Sequence, residues 1–256
     1  MAVSFDVAAE LYDRYMGRYS VLLAPQLADL AGVVGGQRVL DVGCGPGALT
    51  AELVTRLGPA AVTAVDPSEP FVAAARARHP GVDVRQASAE RLPFPDRSFD
   101  SALAQLVVHF MSDPIRGLTE MARVTKHGGV VAACVWDHAG SHGPLHVFWR
   151  AAREIEPDVE DESRLPGVRE GHLASLFRDA GLRDVEDTEL HVSVEYQTFE
   201  EWWEPFTGGV GPAGSFVLRL DEDRQTTLRE RCRDLLPSGP FAITGLAWTA
   251  RGVVSR

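Results

Sequence analysis

A glycine-rich turn at residues 43–47 is the part of this sequence best suited to holding a ligand. Its glycines alternate with Cys44 and Pro46, and the turn directly follows a short apolar segment at residues 38–42. Glycine lets the backbone bend sharply and lets a ligand approach with no Cβ in the way. A helix predicted to start after the turn would offer free N–H groups and the positive end of its dipole. The GxGxG spacing differs from the GxGxxG spacing that is typical of dinucleotide-binding loops.

Two carboxylates accompany this turn. Asp41 stands just before it, and Asp66 ends the next apolar segment along the chain. A carboxylate at Asp41 would repel a pyrophosphate but suits an ammonium group, which favours a cationic ligand with an amino-acid end. Asp66 is placed to accept hydrogen bonds from both hydroxyls of a ribose. The structural alternatives are loop capping by Asp41 and helix N-capping at Asp66, a role that Ser68 could also fill.

The sequence offers few candidates for catalysis. His109 follows the fourth apolar segment and is a candidate proton acceptor near neutral pH; the alternative is a buried histidine with a structural role. No base is placed beside Cys44 by the sequence, so we interpret Cys44 as a small residue of the turn. His138, His142 and His146 form a loose cluster after the fifth predicted strand. Two of them, His142 and His146, have the i, i+4 spacing of a helical metal pair, but Pro144 intervenes. No third ligand is evident nearby, and we predict no metal.

Short apolar segments alternate with helical patterns through the first half of the chain. The predicted strands are residues 38–42, 61–65, 82–86, 99–106 and 129–136, and the predicted helices between them are residues 48–57, 68–79 and 114–124. This alternation is typical of βαβ units, and therefore of an α/β fold with a doubly wound parallel sheet. In such a sheet the strand ends meet at one edge, where a ligand crevice forms.

The flanking regions are less regular. Two helices are predicted at the N-terminus, over residues 5–16 and 21–33. Gly17 and Pro25 interrupt this region, with a place in the first turn of a helix as the alternative for Pro25. In the second half we expect helices at residues 147–155, 170–180 and 221–236 and strands at residues 185–196 and 241–254. The acidic residues 156–164 are expected to form a loop or a lid, with a solvated loop as the usual form of such a stretch. Four aromatic residues leave two readings open, an acceptor pocket or the core of a helical insertion: Trp202, Trp203, Phe206 and Phe216.

Composition excludes several classes of protein. The 256 residues carry 25 basic and 36 acidic side chains, a net charge of −11, which argues against sequence-independent nucleic-acid binding. Three widely spaced cysteines form no disulfide framework and suit a reducing, cytoplasmic setting. Residues 1–15 lack the pattern of a signal peptide, and no apolar run reaches the roughly 18 residues of a membrane span.

Several ordered motifs together resemble a known family, the class I S-adenosylmethionine-dependent methyltransferases, in particular the ubiquinone/menaquinone-biosynthesis-like small-molecule group. The motifs are VLDVGCGPG at residues 39–47, AVDPS at 64–68, QASAERLPF at 86–94, FDSALAQLVVHF at 99–110, and ARV at 122–124 with Gly128 and Gly129. The resemblance implies a Rossmann-like sheet of seven strands, mostly parallel, with the last strand antiparallel. Strand six would lie near residues 185–194 and strand seven near residues 243–254.

The resemblance also divides the chain. We expect a single methyltransferase domain over residues 1–256, in which residues 1–35 form an N-terminal helical cover. Residues 36–136 would form the cofactor-binding core, and residues 197–240 a helical insertion that caps the acceptor.

Residue roles follow from the same resemblance. Asp41, Gly43 and Gly45, with Cys44 in the same loop, would hold the methionine end of the cofactor, and Tyr12 or Arg18 would reach its carboxylate. Asp66 would bind the ribose, Pro67 and the Ala89 amide would meet the adenine, and Gln105 and Leu106 would lie beneath the sulfonium. Two departures are visible: Ser88 stands where many relatives have Asp, leaving a ligand contact and a turn former as alternatives, and Phe110 follows His109 where many have a second His.

The expected function is methyl transfer from S-adenosylmethionine to a small, apolar or aromatic organic acceptor, with S-adenosylhomocysteine as product. The first alternative is a non-catalytic protein that binds the same cofactor. The second is an NAD-dependent oxidoreductase, which the loop spacing disfavours. The oligomeric state is open between a monomer and a homodimer.

Overall fold

One seven-stranded sheet forms the centre of the molecule. The computed structural model describes residues 9–255. The strands are β1 (Val39–Val42), β2 (Val62–Asp66), β3 (Asp83–Gln86), β4 (Phe99–Gln105), β5 (Thr125–Trp136), β6 (Arg183–Tyr196) and β7 (Phe241–Val253). Their order across the sheet is β3-β2-β1-β4-β5-β7-β6, and β7 runs antiparallel to both of its neighbours. The predicted α/β, Rossmann-like fold with an antiparallel last strand is therefore confirmed.

The chain reverses its direction of travel across the sheet at β1. It moves outward through β2 and β3, and then returns to place β4 on the other side of β1. Every residue of β1 and β2 is buried, as expected of parallel strands that are covered on both faces. The loops after β1, β2 and β4 consequently open at one edge of the sheet, at the topological switch point where such folds bind ligands.

Helices cover both faces of the sheet. They are α1 (Ala9–Tyr12), α2 (Arg18–Leu30), α3 (Ala48–Leu57), α4 (Glu69–Arg78), α5 (Pro114–Val124), α6 (His146–Ile155), α7 (His172–Asp179), α8 (Phe199–Trp203), α9 (Gly211–Arg219) and α10 (Glu222–Asp234). Alternate residues of the central strands enter separate cores: Val39 and Leu103 belong to the core that includes α2 and α6, whereas Leu40 and Ala102 belong to the core that includes α5 and α7. This alternation is the two-residue period of a strand. None of the helices described in residues 9–255 is long and apolar enough to cross a membrane.

The N-terminal helices differ from the prediction. Residues 5–8 of the first predicted helix lie outside the described part of the chain. A π-helical turn, Asp13–Gly17, joins α1 directly to α2, and Pro25 lies inside α2 rather than at an interruption. Proline removes the hydrogen bond to the carbonyl four residues earlier. That residue is Val21, whose side chain is on the exposed side of the helix, where water can replace the missing donor.

The second half corrects two further expectations. Helix α9 was not predicted, because its sequence begins Gly-Pro-Ala-Gly and both glycine and proline disfavour helices. The acidic segment at residues 156–164 is not wholly solvated, since it ends in a 3-10 turn, Glu162–Arg164, in which Glu162 is only 3% exposed. In the sequence, the helices α8, α9 and α10 follow β6 and precede β7.

Candidate active site

The glycine-rich turn after β1 has the backbone that only glycine adopts easily. Gly43 and Gly45 have φ values of 71° and 53°, in the left-handed region. A Cβ on Gly43 would lie 2.4 Å from a methyl carbon of Val107, so this position has no room for a side chain. A Cβ on Gly45 would meet nothing within 4 Å, so the turn leaves open space at Gly45.

Asp66 lies at the end of β2 beside this turn. Its carboxylate accepts hydrogen bonds from the Gly45 N–H and the Ser68 N–H, both at 2.8 Å, one on each oxygen. Burial raises the pKa of Asp66, and these two N–H donors oppose the rise. A carboxylate oxygen accepts more than one hydrogen bond, so both oxygens retain capacity for a pair of ligand hydroxyls.

Asp41 and Cys44 stand behind the turn rather than in the open space. The Thr50 hydroxyl donates to Asp41 Oδ2 at 2.6 Å, while the buried Oδ1 has no hydrogen-bond partner among residues 9–255. Burial raises the pKa of Asp41 to about 7. The Cys44 thiol donates to its neighbour's carbonyl, and burial raises its pKa, which fits a small residue of the turn better than a nucleophile.

A pocket of about 660 Å³ opens over this edge of the sheet, within the size range of small-ligand sites. Ten of the residues singled out from the sequence line it: Tyr12, Gly43, Gly45, Asp66, Pro67, Ser88, Ala89, Gln105, Leu106 and His109. Three others, Arg18, Asp41 and Cys44, are not among the lining residues. The structure thus brings together residues that are up to 97 positions apart in the sequence, from Tyr12 to His109.

The N-terminal segment closes one side of this pocket. Tyr12, Tyr15 and Met16 line it, and the Tyr12 ring meets the edge of Phe71, with ring centroids 5.4 Å apart. Burial raises the pKa of Tyr12 to about 12, so its hydroxyl stays neutral and can donate a hydrogen bond.

Arg18 faces away from the pocket, contrary to its predicted role. Its guanidinium pairs with Glu201 at 2.8 Å, donates to the Glu195 carbonyl at 3.0 Å and lies over the Tyr196 ring. These contacts attach α2 to β6 and α8. They leave Arg18 as a residue that holds the N-terminal segment in place rather than one that reaches a ligand in the pocket.

The opposite wall comes from the segment after β3. The Ser88 hydroxyl donates to Glu90 Oε2 at 2.9 Å, and Glu90 Oε1 accepts from the Ser112 N–H at 2.8 Å. Ser88 therefore shapes this loop and lines the pocket at once. The side-chain amide of Gln86 donates to the Pro67 carbonyl at 2.9 Å, which fixes Pro67 against the same wall.

The floor of the pocket lies at the end of β4. Gln105 donates to the Ser20 carbonyl at 3.0 Å, while its Oε1 is buried without a partner among the described residues. Leu106 has a φ of 62°, a strained conformation for a residue with a branched side chain. Such strain is typical of functional sites, and the sequence gives no signal for it.

Three further residues that line the pocket have buried, titratable side chains. His109, His138 and Glu162 all line the pocket, and each is no more than 9% exposed. Burial, with His138 nearby, holds the pKa of His109 well below its usual value. Sequence analysis found His109, placed His138 only in a loose histidine cluster and missed Glu162.

Comparison with known proteins is decisive for the family. Residues 40–133 match the model of a family described as a methyltransferase domain. Malonyl-(acyl-carrier protein) O-methyltransferase of Erwinia billingiae is 32% identical over 204 residues, which are 68% of this chain and 80% of that protein. This chain belongs to the class I S-adenosylmethionine-dependent methyltransferases. The narrower resemblance to the ubiquinone/menaquinone group stays a prediction.

A further relative agrees with the methyltransferase assignment, and a solved structure agrees with the fold. A fatty-acid O-methyltransferase of Mycolicibacterium smegmatis is 38% identical over 152 residues, 55% of each chain. The crystal structure of the YcgJ protein of Bacillus subtilis superposes with a TM-score of 0.59 at 20% identity, covering 93% of this methyltransferase and 99% of that chain. The latter likeness concerns the fold.

S-adenosylmethionine is the cofactor of this methyltransferase, and the pocket suits it. Asp66 offers a carboxylate for ribose hydroxyls, the Gly45 turn leaves open space, and the neutral Tyr12 hydroxyl can donate. Three residues that line the pocket also have a buried side-chain atom without a partner among the described residues, namely Tyr15 Oη, Gln105 Oε1 and His109 Nδ1. Because buried polar atoms are nearly always hydrogen-bonded, these three are candidates for contact with a polar ligand.

The aromatic residues of the insertion belong to the core that also contains α2 and α6, and form neither a pocket wall nor a separate core. Trp202, Trp203, Phe206 and Phe216 are all buried, and none of them lines the pocket; the Phe206 ring instead stacks on Phe148 with centroids 4.6 Å apart. Only Gly211 and Pro212 of the insertion reach the pocket.

The two histidines with i, i+4 spacing, His142 and His146, do not line the pocket. His142 contacts Asp137 at 2.7 Å, and His146 contacts the Gly143 carbonyl at 3.0 Å.

Proposed function

We propose that this methyltransferase transfers the methyl group of S-adenosylmethionine to a small apolar or aromatic acceptor, bound at the His109 end of the pocket. The observation that carries the proposal is that the pocket has large apolar lining residues besides the predicted cofactor residues. Among them are Phe110, Trp136 and Leu145. An apolar compartment of this kind favours an acceptor with an apolar body.

The acceptor also carries a polar group in this proposal. Tyr15 Oη and His109 Nδ1 are buried polar atoms without partners among residues 9–255, and both residues line the pocket. Its charged lining residues in the described chain are acidic (Asp66, Glu69, Glu90 and Glu162), with neither Lys nor Arg among them. The side chains therefore offer no cation to an anionic acceptor, such as the carboxylate of a fatty acid.

Alignment is the main contribution expected from the protein. The cofactor supplies a methyl group on a positively charged sulfur, which is already activated for transfer. Asp66 and the Gly45 turn would hold the cofactor, and Tyr12, Tyr15 and Met16 would exclude water above it. The neutral imidazole of His109 has a nitrogen lone pair at the acceptor end. Proton acceptance, as predicted from the sequence, is one role open to this lone pair; metal coordination is another.

Calorimetric titration tests the cofactor half of the proposal. We expect S-adenosylmethionine and S-adenosylhomocysteine to bind and NADH not to bind. Asp66→Asn keeps the side-chain size but removes the charge, and should weaken binding on the order of 10- to 100-fold. Asp83→Asn is the matched control, because Asp83 lies on the neighbouring strand, pairs with Arg85 at 2.6 Å and does not line the pocket.

An acceptor screen tests the other half. Release of S-adenosylhomocysteine would be measured with phenols, hydroquinones, fatty acids and small polar amines. The proposal expects release with apolar or aromatic acceptors. It is wrong if turnover occurs only with small hydrophilic acceptors, or if Asp66→Asn and Asp83→Asn bind the cofactor equally well.

A further inference from the structure

Three buried side chains at the acceptor end of the pocket converge from separate loops. His109 lies in the 3-10 turn Val108–Phe110 after β4, His138 follows β5, and Glu162 begins the turn before α7. Each offers one ligand atom, and the three atoms all lie within 4.8 Å of one another. The loops after β4 and β5 meet at the edge of the sheet where parallel strands end, and the segment that carries Glu162 comes close to both.

The carboxylate of Glu162 forms no close ion pair with a cationic side chain among the described residues. The Trp149 indole N–H donates to its Oε2 at 2.9 Å, and its Oε1 lies 3.8 Å from His138 Nε2. That second separation exceeds the length of a hydrogen bond. No Lys or Arg forms an ion pair with Glu162 in the described part of the chain. A carboxylate that is 3% exposed is costly to bury unless a charge or a metal ion compensates it.

The spacing suits an ion between the side chains. Zinc bonds to nitrogen and oxygen are about 2.0–2.2 Å long, so two ligand atoms on a tetrahedral ion stand roughly 3.3–3.6 Å apart. His138 Nε2 and Glu162 Oε1, at 3.8 Å, need to approach each other by only a few tenths of an ångström. His109 can complete the set by a small side-chain rotation, because its buried Nδ1 is tied to no other group among the described residues.

We propose that His109, His138 and Glu162 bind a divalent transition-metal ion, with Zn²⁺ as the best match for two imidazoles and one carboxylate. Three protein ligands leave a coordination position open. All three residues line the pocket, so the open position faces the acceptor. The Trp149 hydrogen bond to Glu162 then orients a ligating carboxylate from the second layer of contacts.

The ion supplies the positive charge that the side chains around this pocket do not. An oxygen atom of the acceptor, from a hydroxyl or a carboxylate, is the class of ligand that would complete the coordination. This assignment of the acceptor oxygen rests on the proposed function, whereas ion binding itself does not. In the loaded enzyme the His109 nitrogen is a ligand, and it is not the proton acceptor.

Metal titration of chelator-treated protein tests the site without any acceptor. We expect one equivalent of Zn²⁺ by calorimetry, and a Co²⁺ absorption spectrum of a four- or five-coordinate site. Glu162→Gln should weaken binding by about 100-fold or more. Trp149→Phe removes only the indole N–H from the carboxylate and should weaken binding by roughly 10- to 100-fold. His191→Gln is the control, because His191 faces Glu189 at 3.1 Å in an exposed pair that could bind metal adventitiously.

The outcomes separate this proposal from the proposed function. Wild-type protein that takes up no stoichiometric metal overturns it, as does equal affinity in Glu162→Gln and wild type, or a loss of binding in His191→Gln alone. S-adenosylhomocysteine binding, measured on the same samples, reports whether each variant is folded. If metal binding fails while this cofactor binding persists, only the metal site is wrong; failure of cofactor binding in the wild type contradicts the proposed function.

Discussion

Two aspartates at the ends of neighbouring strands have similar sequence contexts and different physical surroundings. Asp66 faces the pocket and accepts one backbone N–H on each carboxylate oxygen. Asp41 is 1% exposed, receives the Thr50 hydroxyl on one oxygen and has an unpartnered second oxygen among the described residues. Asp66 is therefore the better-placed ligand-binding group, and Asp41 is a buried carboxyl that favours its protonated form.

The pKa of Asp41 predicts a specific pH dependence of stability. Burial, together with the nearby negative charge of Asp66, raises this pKa from 3.8 to about 7, although the Thr50 hydrogen bonds oppose the rise. Well below pH 3.8 the carboxyl is protonated in the folded and unfolded chains alike, and it carries no charge penalty. As pH rises to 7 the unfolded chain gains an ionised Asp41 before the folded chain does, so the free energy of unfolding falls.

Asp41→Asn should remove this dependence, because the amide oxygen can still accept the Thr50 hydroxyl and carries no charge. Relative to wild type, the variant should gain up to about 4 kcal/mol of stability between pH 4 and pH 8. Urea unfolding at several pH values measures the difference. Asp83→Asn, at an exposed position, is the control. Parallel stability curves for wild type and Asp41→Asn would contradict the prediction.

At the scale of secondary structure, the sequence predicts the first five strands well, because each signal there is local. Apolar runs, the glycines at residues 43–47 and the alternation with helices are all read within short windows. The family motifs are local too, and ten of the predicted site residues line one pocket. The positive φ of Gly43 shows the physical basis, since no other residue fits beside Val107.

The residues that sequence analysis missed or misplaced depend on contacts between distant segments. Glu162 lies in an acidic segment that is typical of a solvated loop, and its burial depends on Trp149 and His138. Arg18 was expected in the pocket, but Glu201, which is far away in sequence, holds it elsewhere. Such placements are decided by tertiary packing, for which a single sequence carries no local pattern.

A substitution at a buried residue of the helical insertion should lower the stability of the protein and leave its affinity for the cofactor nearly unchanged. Trp203 is 6% exposed, its ring contacts Phe199 and Phe206, and it does not line the pocket. Trp203→Ala should lower the free energy of unfolding by about 3–5 kcal/mol, measured in urea, while the affinity for S-adenosylhomocysteine changes by less than about threefold because the ligand contacts remain. The control is Leu218→Ala at a position that is 62% exposed, where an effect within about 0.5 kcal/mol is expected. A variant that loses cofactor affinity without losing stability would show that Trp203 acts on the pocket.

At the scale of the whole molecule, the pocket is assembled from parts that are distant along the chain. The sheet edge supplies Gly45 and Asp66, the N-terminal segment supplies Tyr12 and Tyr15, and the insertion contributes Pro212. The N-terminal part is attached to the rest by contacts that include Arg18 with Glu201 and a hydrogen bond between the hydroxyls of Tyr19 and Tyr196 at 2.9 Å. A ligand in the pocket would therefore contact the sheet edge, the N-terminal segment and the insertion at once.

Hydrogen exchange should report this bridging. The π-helical turn Asp13–Gly17 lies over the pocket through Tyr15 and Met16, and π-helical turns are less regular than α-helix and often mark functional sites. Saturation with S-adenosylhomocysteine at about 100 times its dissociation constant stabilises the bound state by about 2.7 kcal/mol, so amide exchange through opening of this turn should slow by up to roughly 100-fold. Helix α10, which does not line the pocket, is the internal reference, since its local fraying does not release the ligand. If the turn exchanges equally fast with and without ligand while α3, behind the glycine-rich loop, is protected, then the N-terminal segment opens without loss of the ligand and does not cover it.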